Sequence, residues 1–381
     1  MAGIYFHIPF CKQACSYCDF HFSTSLRYAD EMIEAMKTEI SLRKGFISGE
    51  KKPIIESIYF GGGTPSIIST KKIIELIDEA AKHFEISNEI EITLEANPND
   101  LTKQKIAEIR NTPINRFSIG IQSFHDDDLH FLKRAHNSID ASDCVKRAQD
   151  AGFENLTIDL IYGIPILTNK KWKENISAAI NLQVPHISAY CLTRENKTLL
   201  NHWINKGMSP SLNDEQDAEQ LIILMKELKI AGFEQYEISN FAKEKKYSKH
   251  NSAYWKGVPY LGIGPSAHSF NGDTRFYSVA NNPQYLKGVY NKDVIGETEV
   301  LSKRDKYNEY VMTRLRTMWG VNLIYITSEF GADYLRHFNK EIAIHKLTKK
   351  VEEKQNIITL TNEGKLMADA ISSDLFKVKN E

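Results

Sequence analysis

Three cysteines fall within eight residues, C11-K-Q-A-C15-S-Y-C18, whereas Cys144 and Cys191 stand alone. Three thiolates spaced x3 and x2 in one loop can wrap three corners of a [4Fe-4S] cubane and leave its fourth iron without a protein ligand. Zinc is the alternative: a structural zinc takes four protein ligands, and His21 would have to be the fourth, yet no second ligand pair follows at finger-like spacing. An odd number of cysteines, tightly clustered, is not a disulfide framework, and it fits a metal site in a reducing compartment.

Gly61-Gly62-Gly63-Thr64-Pro65 follows the β-rich run ESIYF. Glycines there let the backbone come close to a ligand and offer it N–H and C=O groups, as the charged ends of an amino acid require. Taken alone, a Gly-rich turn is often only a turn. Glu95, Gln122, Arg134 and Asp159 add polar groups at or just beyond later strand ends. Each has a plainer reading as a cap, a loop partner or a solvated charge; together with an open iron they favour a bound nucleoside.

The segment H250-N-S-A-Y-W255 combines an imidazole with two flat aromatic rings, and Lys243, Lys245, Lys246, Lys249 and Lys256 surround it. A neutral imidazole can ligate haem iron, the rings can cover a macrocycle and the lysines can meet its propionates. The competing reading is a structural histidine beside core aromatics. His268, in GIGPSAHSF, is a weaker ligand candidate.

The elements that must position these groups alternate from the start to about residue 232. Strands are predicted over 4–8, 56–60, 89–96, 116–122, 155–163 and 186–192. Helical periodicity fills 31–44, 71–84, 143–152, 172–182 and 217–232, with Gly152 and Gly232 as C-terminal stops. Six βα units imply a parallel sheet, too few for a closed eight-stranded barrel. The expected fold is therefore α/β, an open partial (β/α)6 TIM-like barrel with its chemistry at the C-terminal strand ends. Three regions follow: the barrel (1–232), an irregular connecting segment (233–300) and a winged-helix-like α+β module (301–381). DNA binding by that module is disfavoured, because its 14 Lys and Arg barely exceed its 11 Asp and Glu.

Composition excludes more than it assigns. With a net charge of −1 over 381 residues, no general field draws the chain to nucleic acid or anionic lipid. No basic leader precedes the first apolar run and no stretch is long enough to span a membrane, so a cytoplasmic location is expected.

The run Y5-F-H-I-P-F-C11-K-Q-A-C15-S-Y-C18-D-F20, with G62-G-T-P65, IGIQSF (119–124) and NLTIDLIYGIP (155–165), resembles the radical S-adenosylmethionine (SAM) proteins related to oxygen-independent coproporphyrinogen III oxidase. The resemblance covers nearly the whole chain. It implies a [4Fe-4S] cluster on the three cysteines, and SAM held by Tyr5, Tyr17, Gly62, Gly63, Thr64, Glu95, Gln122, Arg134 and Asp159. In the oxidase, positions matching Gln122, Arg134 and Asp159 lie around a second SAM. In this family the open iron is chelated by SAM, and one electron from the reduced cluster cleaves it to methionine and a 5′-deoxyadenosyl radical. Phe20 stands where the oxidase has a further cysteine, and the oxidase carries a longer segment before the motif. HNSAYW resembles the HNxxYW motif of the family's haem chaperone (HemW-like) branch, which implies haem as cargo and His250 as a haem-binding residue. The partners implied are haem or a porphyrin, haem-accepting proteins, some of them at membranes, and an electron donor, with no nucleic acid. The alternatives are the oxidase activity itself and a radical SAM methylase or other hydrogen-abstracting enzyme.

Overall fold

A computed structural model describes residues 1–47 and 53–378. Six parallel strands form its centre: β1 (Ala2–Ile8), β2 (Ile54–Gly62), β3 (Glu85–Ala96), β4 (Arg116–Gln122), β5 (Leu156–Tyr162) and β6 (His186–Cys191), hydrogen-bonded in chain order. Each matches a strand expected from β-propensity and period. Helices Ala29–Arg43, Thr70–His83, Ser138–Asp150, Asn169–Asn181 and Asp214–Ile230 lie where the 3.6-residue pattern puts them. The third starts five residues before its apolar pattern, because Asn137 and Asp140 cap each other's backbone there. Short helices Lys103–Arg110, Asp126–Phe131 and Leu199–Asn205 carry too few turns to show a period.

The segment 233–300 is not irregular. It supplies β7 (Glu234–Glu237), β8 (Asn240–Ala242), β9 (Tyr260–Ile263), β10 (His268–Phe270), β11 (Thr274–Ser278) and β12 (Gly296–Val300). They extend both edges of one twelve-stranded sheet, ordered β12-β11-β10-β9-β1-β2-β3-β4-β5-β6-β8-β7. β9 runs parallel to β1, whereas β8 runs antiparallel to β6. The barrel is therefore open, as expected.

Strands β3 to β6 alternate strictly. Ile92, Leu94, Phe117, Ile119, Ile158, Leu160 and Ile187 are buried in the main apolar core, while Glu91, Thr93, Glu95, Arg116, Ser118, Thr157, Asp159, His186 and Ser188 point the other way. The apolar core thus lies on one face, and the lumen on the other is polar. That lumen has the chemistry of a ligand chamber.

Residues 303–378 add a separate α+β module. Helices Lys303–Leu315 and Ala332–Leu347 precede a hairpin, Val351–Lys354 with Ile357–Leu360, and helix Ala368–Asp374 follows it. Tyr307, Val311, Phe338, Ile342, Ile358 and Ile371 make a core of their own. The Ile238 and Met318 N–H groups donate to Arg316 (3.1 Å) and Tyr236 (3.0 Å) carbonyls and join the module to the barrel edge.

Candidate functional site

The cysteine loop leaves the C-terminal end of β1. Cys11 N–H donates to Ser23 O (3.0 Å) and Ser23 N–H to Pro9 O (2.9 Å), which closes the loop on itself. Ser16 fastens it sideways: its N–H donates to Leu132 O (3.1 Å), and its carbonyl accepts from Leu200 N–H (2.7 Å). Cys11, Cys15 and Cys18 are free and partly exposed, while Cys144 is buried. Among the described residues, no three His, Cys, Asp or Glu side chains converge as ligands of a single ion would. A cubane makes no such demand, since each thiolate takes a different iron. His21, the fourth ligand a zinc would need, is engaged through Nε2 with Asn282 Oδ1 (2.7 Å).

Burial raises the Cys11 thiol and pushes Cys18 up to about 12, so free thiolates are disfavoured there. Two donors face the sulfurs: the Thr64 hydroxyl lies 3.5 Å from Cys11 Sγ, and Arg134 Nη1 lies 3.3 Å from Cys15 Sγ. Asn97 links them, donating to Thr64 Oγ1 (3.2 Å) and accepting from Arg134 Nη2. Three thiols supported by a hydroxyl and a guanidinium fit an iron–sulfur cluster, whose cationic irons would supply the charge that burial withholds.

The glycine turn packs against the cysteine loop. The Gly63 and Thr64 N–H groups, expected to face a ligand, donate to Ile8 O (2.9 Å) and Phe10 O (2.7 Å). A Cβ on Gly63 would lie 2.5 Å from Phe10 O, and one on Gly62, at φ 102°, would lie 2.7 Å from the His7 ring. These two glycines therefore press the β2 turn against the cysteine loop. The sequence shows that close approach is needed, but not to what.

Inside the mouth, Tyr59 donates to Glu95 Oε1 (2.7 Å) and Ser118 to Asp159 Oδ2 (3.2 Å). Desolvation raises Glu95 to about 7, with the Asp159 charge adding to it, and desolvation raises Asp159 to about 6. Two carboxyls held this way favour a cationic guest. Tyr5, on β1, stacks near Tyr59 with centroids 6.1 Å apart. Arg134 ties Tyr17 OH (3.5 Å) and Gly120 O (2.8 Å) to the cysteine loop, and its Nε is buried without a hydrogen-bond partner. Gln122 holds a left-handed backbone, φ 67°, where β4 slips register against β5. A chamber with a buried orphan donor and paired carboxyls fits a ligand such as SAM, which carries an ammonium, a sulfonium and a carboxylate.

Tyr17, Gly62, Gly63, Thr64, Glu95, Gln122, Arg134 and Asp159 are thus brought towards one end of the barrel, and Tyr5 lies deeper in the lumen, its ring 6.3 Å from that of His250. Sequence reasoning passed over Asn97 and Tyr59. Both were visible, Asn97 two residues beyond Glu95 on the same strand exit and Tyr59 just before the glycines.

His250 is elsewhere. Helix Lys249–Trp255 closes the opposite, N-terminal end of the lumen, and the imidazole is 1% exposed. Nδ1 is paired with Ser57 Oγ (2.8 Å) and Nε2 with Tyr254 OH (2.8 Å), and the ring stacks on Tyr59 at 5.0 Å. In this structure both nitrogens are occupied, so the imidazole is not open to a further ligand.

Against known proteins, a model of the radical SAM superfamily matches residues 5–179. The haem chaperone HemW of Bacillus subtilis is 32% identical over 377 residues, 97% of this chain and 98% of that protein. HemW of Haemophilus influenzae is 34% identical over 337 residues, 84% of this chain and 83% of its own. The coproporphyrinogen III oxidase HemN of Escherichia coli, a radical SAM enzyme, superposes with a TM-score of 0.85 at 21% identity, over 98% of this chain and 90% of that one. At that identity the likeness shows the fold alone.

Proposed function

The chain belongs to the radical SAM superfamily and, within it, to the HemW family, and from that premise we propose that it binds haem as cargo and delivers it to haem-requiring proteins. The observation that carries this reading is the match to a haem chaperone over almost the full length of both chains, at 32% identity. The family carries a [4Fe-4S] cluster and SAM, which together supply one-electron chemistry at the open iron. We assign the cluster to Cys11, Cys15 and Cys18.

The residues around it have separable tasks in this proposal. Thr64 and Arg134 donate to the ligand sulfurs and spread the charge of the cluster. Glu95 and Asp159, whose proton affinity burial raises, accept the cationic parts of SAM. Tyr5, Tyr17 and Gln122 line the chamber and limit water. No helix among the described residues is long and apolar enough to cross a membrane; we place the chain in the cytoplasm, meeting an electron donor for the cluster and haem acceptors at their own sites.

Phe20 is 68% exposed where the oxidase-type cysteine would stand. One anaerobic comparison therefore decides between carrier and oxidase. After reconstitution the protein should hold about four irons and four sulfides, bind added haem, and leave coproporphyrinogen III unconverted. Turnover to protoporphyrinogen IX would establish the oxidase instead, and unchanged iron content in the triple Cys→Ala variant would refute the cluster assignment.

A further inference from the structure

With both His250 nitrogens engaged, the other histidines come into question as haem ligands. Of the twelve histidines, nine have a ring nitrogen in a hydrogen bond. His130, His202 and His268 remain. His268 faces the edge of Tyr277, with centroids 4.7 Å apart. His130 is exposed, has no side-chain partner among the described residues, and lines a cavity.

That cavity holds about 700 Å³ and lies beside the cysteine loop, bordered by Gln13 and Ala14 between the first two ligands. Its other lining residues are His130, Phe131, Lys133, Arg134, Trp203 and Met208. The volume is within the range of cofactor pockets, roughly 300–1,000 Å³. Phe131 and Trp203, centroids 5.8 Å apart, provide aromatic area, and Met208 is 70% exposed, with its thioether in reach of a guest. Lys133 Nζ lies 5.7 Å from the Trp203 ring centroid. Two of the lining residues are cations and none is a carboxylate. The groove thus presents an imidazole, a thioether, aromatic surface and positive charge, and among common cofactors this set matches an iron macrocycle with anionic side groups. Histidine and methionine together are also an established ligand pair for haem iron.

We propose that haem docks in this groove beside the cysteine loop, stacked on Trp203, with His130 and Met208 as its iron ligands and Lys133 toward a propionate. This rests on the haem-carrier reading. It places the cargo against the same loop that holds the cluster, with Arg134 shared between the groove and Cys15.

The test is an anaerobic haem titration of the cluster-loaded protein beside His130→Ala, Met208→Leu and His268→Ala. His130→Ala should shift the Soret band and weaken affinity tenfold or more. Met208→Leu should shift the band with a smaller loss of affinity, and His268→Ala should match the wild type. Circular dichroism and cluster iron, unchanged throughout, verify that these exposed substitutions leave the fold alone. If the wild type binds haem and both groove variants match it in spectrum and affinity, the groove is wrong and the carrier reading survives. If His268→Ala alone weakens binding, the ligand lies there and the groove is likewise overturned. If the wild type binds no haem, the carrier reading itself fails, and this inference with it.

Discussion

At the scale of single residues, the mouth of the barrel stores protonation energy. Burial raises Glu95 from its ordinary 4.5 to about 7, and the Asp159 charge reinforces the effect. A carboxyl whose folded pKa is raised binds its proton more tightly in the native state. Its stabilising contribution is fully present below pH 4.5 and is lost as pH rises through 7. Between pH 5 and 7.5 Glu95 alone should cost the apo protein about 2 kcal/mol of stability, because each tenfold difference in proton affinity between the folded and unfolded chain is worth about 1.4 kcal/mol. Glu95→Gln keeps an acceptor for Tyr59 and removes the charge, so it should be the more stable protein at pH 7.5 and show a flatter profile. Asp159, raised to about 6, leaves it a residual slope. Urea midpoints at pH 5, 6 and 7.5 check this; parallel profiles for the two proteins would mean that Glu95 is already solvated. A cationic ligand should reverse the preference, so SAM should bind more tightly as pH rises through 7, and the Gln variant should lose that dependence.

Elements explain why some of this was legible in the sequence. The six central strands and their long helices carry period-2 and period-3.6 signals over most of their length, and the cysteine loop and glycine turn sit at strand C-terminal ends. Strands β7 to β12 span three to five residues each, too short for a period, and β9 earns its place by pairing with β1, some 250 residues away in sequence. The surroundings of His250 were hidden for the same reason. HNSAYW displays a ligand-competent imidazole, but only the fold shows Ser57 and Tyr254 taking both nitrogens. His250→Ala should therefore remove two buried hydrogen bonds and leave a cavity beneath Tyr59, costing about 2–4 kcal/mol. The Soret band of bound haem should not move. Denaturant unfolding and a haem titration on the same preparation check both halves, and a spectral change without a stability loss would restore His250 as a ligand.

At the scale of the molecule, two apolar cores sit in one chain. The barrel core draws on residues from Ala2 to Val289, and the module core on Tyr307 to Leu375. Cluster cysteines, SAM candidates and the haem groove all belong to the first. Between the cores run backbone hydrogen bonds at Ile238 and Met318, one from Lys365 Nζ to Gln235 Oε1 (2.8 Å) and the Arg275–Glu309 pair (2.7 Å), while Ile238 packs against the module core and Trp319 lies against Tyr236. The smaller unit should nevertheless open first, because its own core is small and free energies of local opening follow the contacts broken. Phe338 is fully buried in the module core, and Phe338→Ala should cost about 3–5 kcal/mol there. We expect this variant to unfold in two steps under increasing urea: an early loss of helical signal from the module, then loss of cluster absorbance at the wild-type midpoint. Its reconstituted iron and its haem affinity before the first step should equal those of the wild type. Coincident loss of both signals would mean that the hairpin module and the barrel fold as one cooperative unit, with the β7–β8 edge transmitting the damage to the cysteine loop.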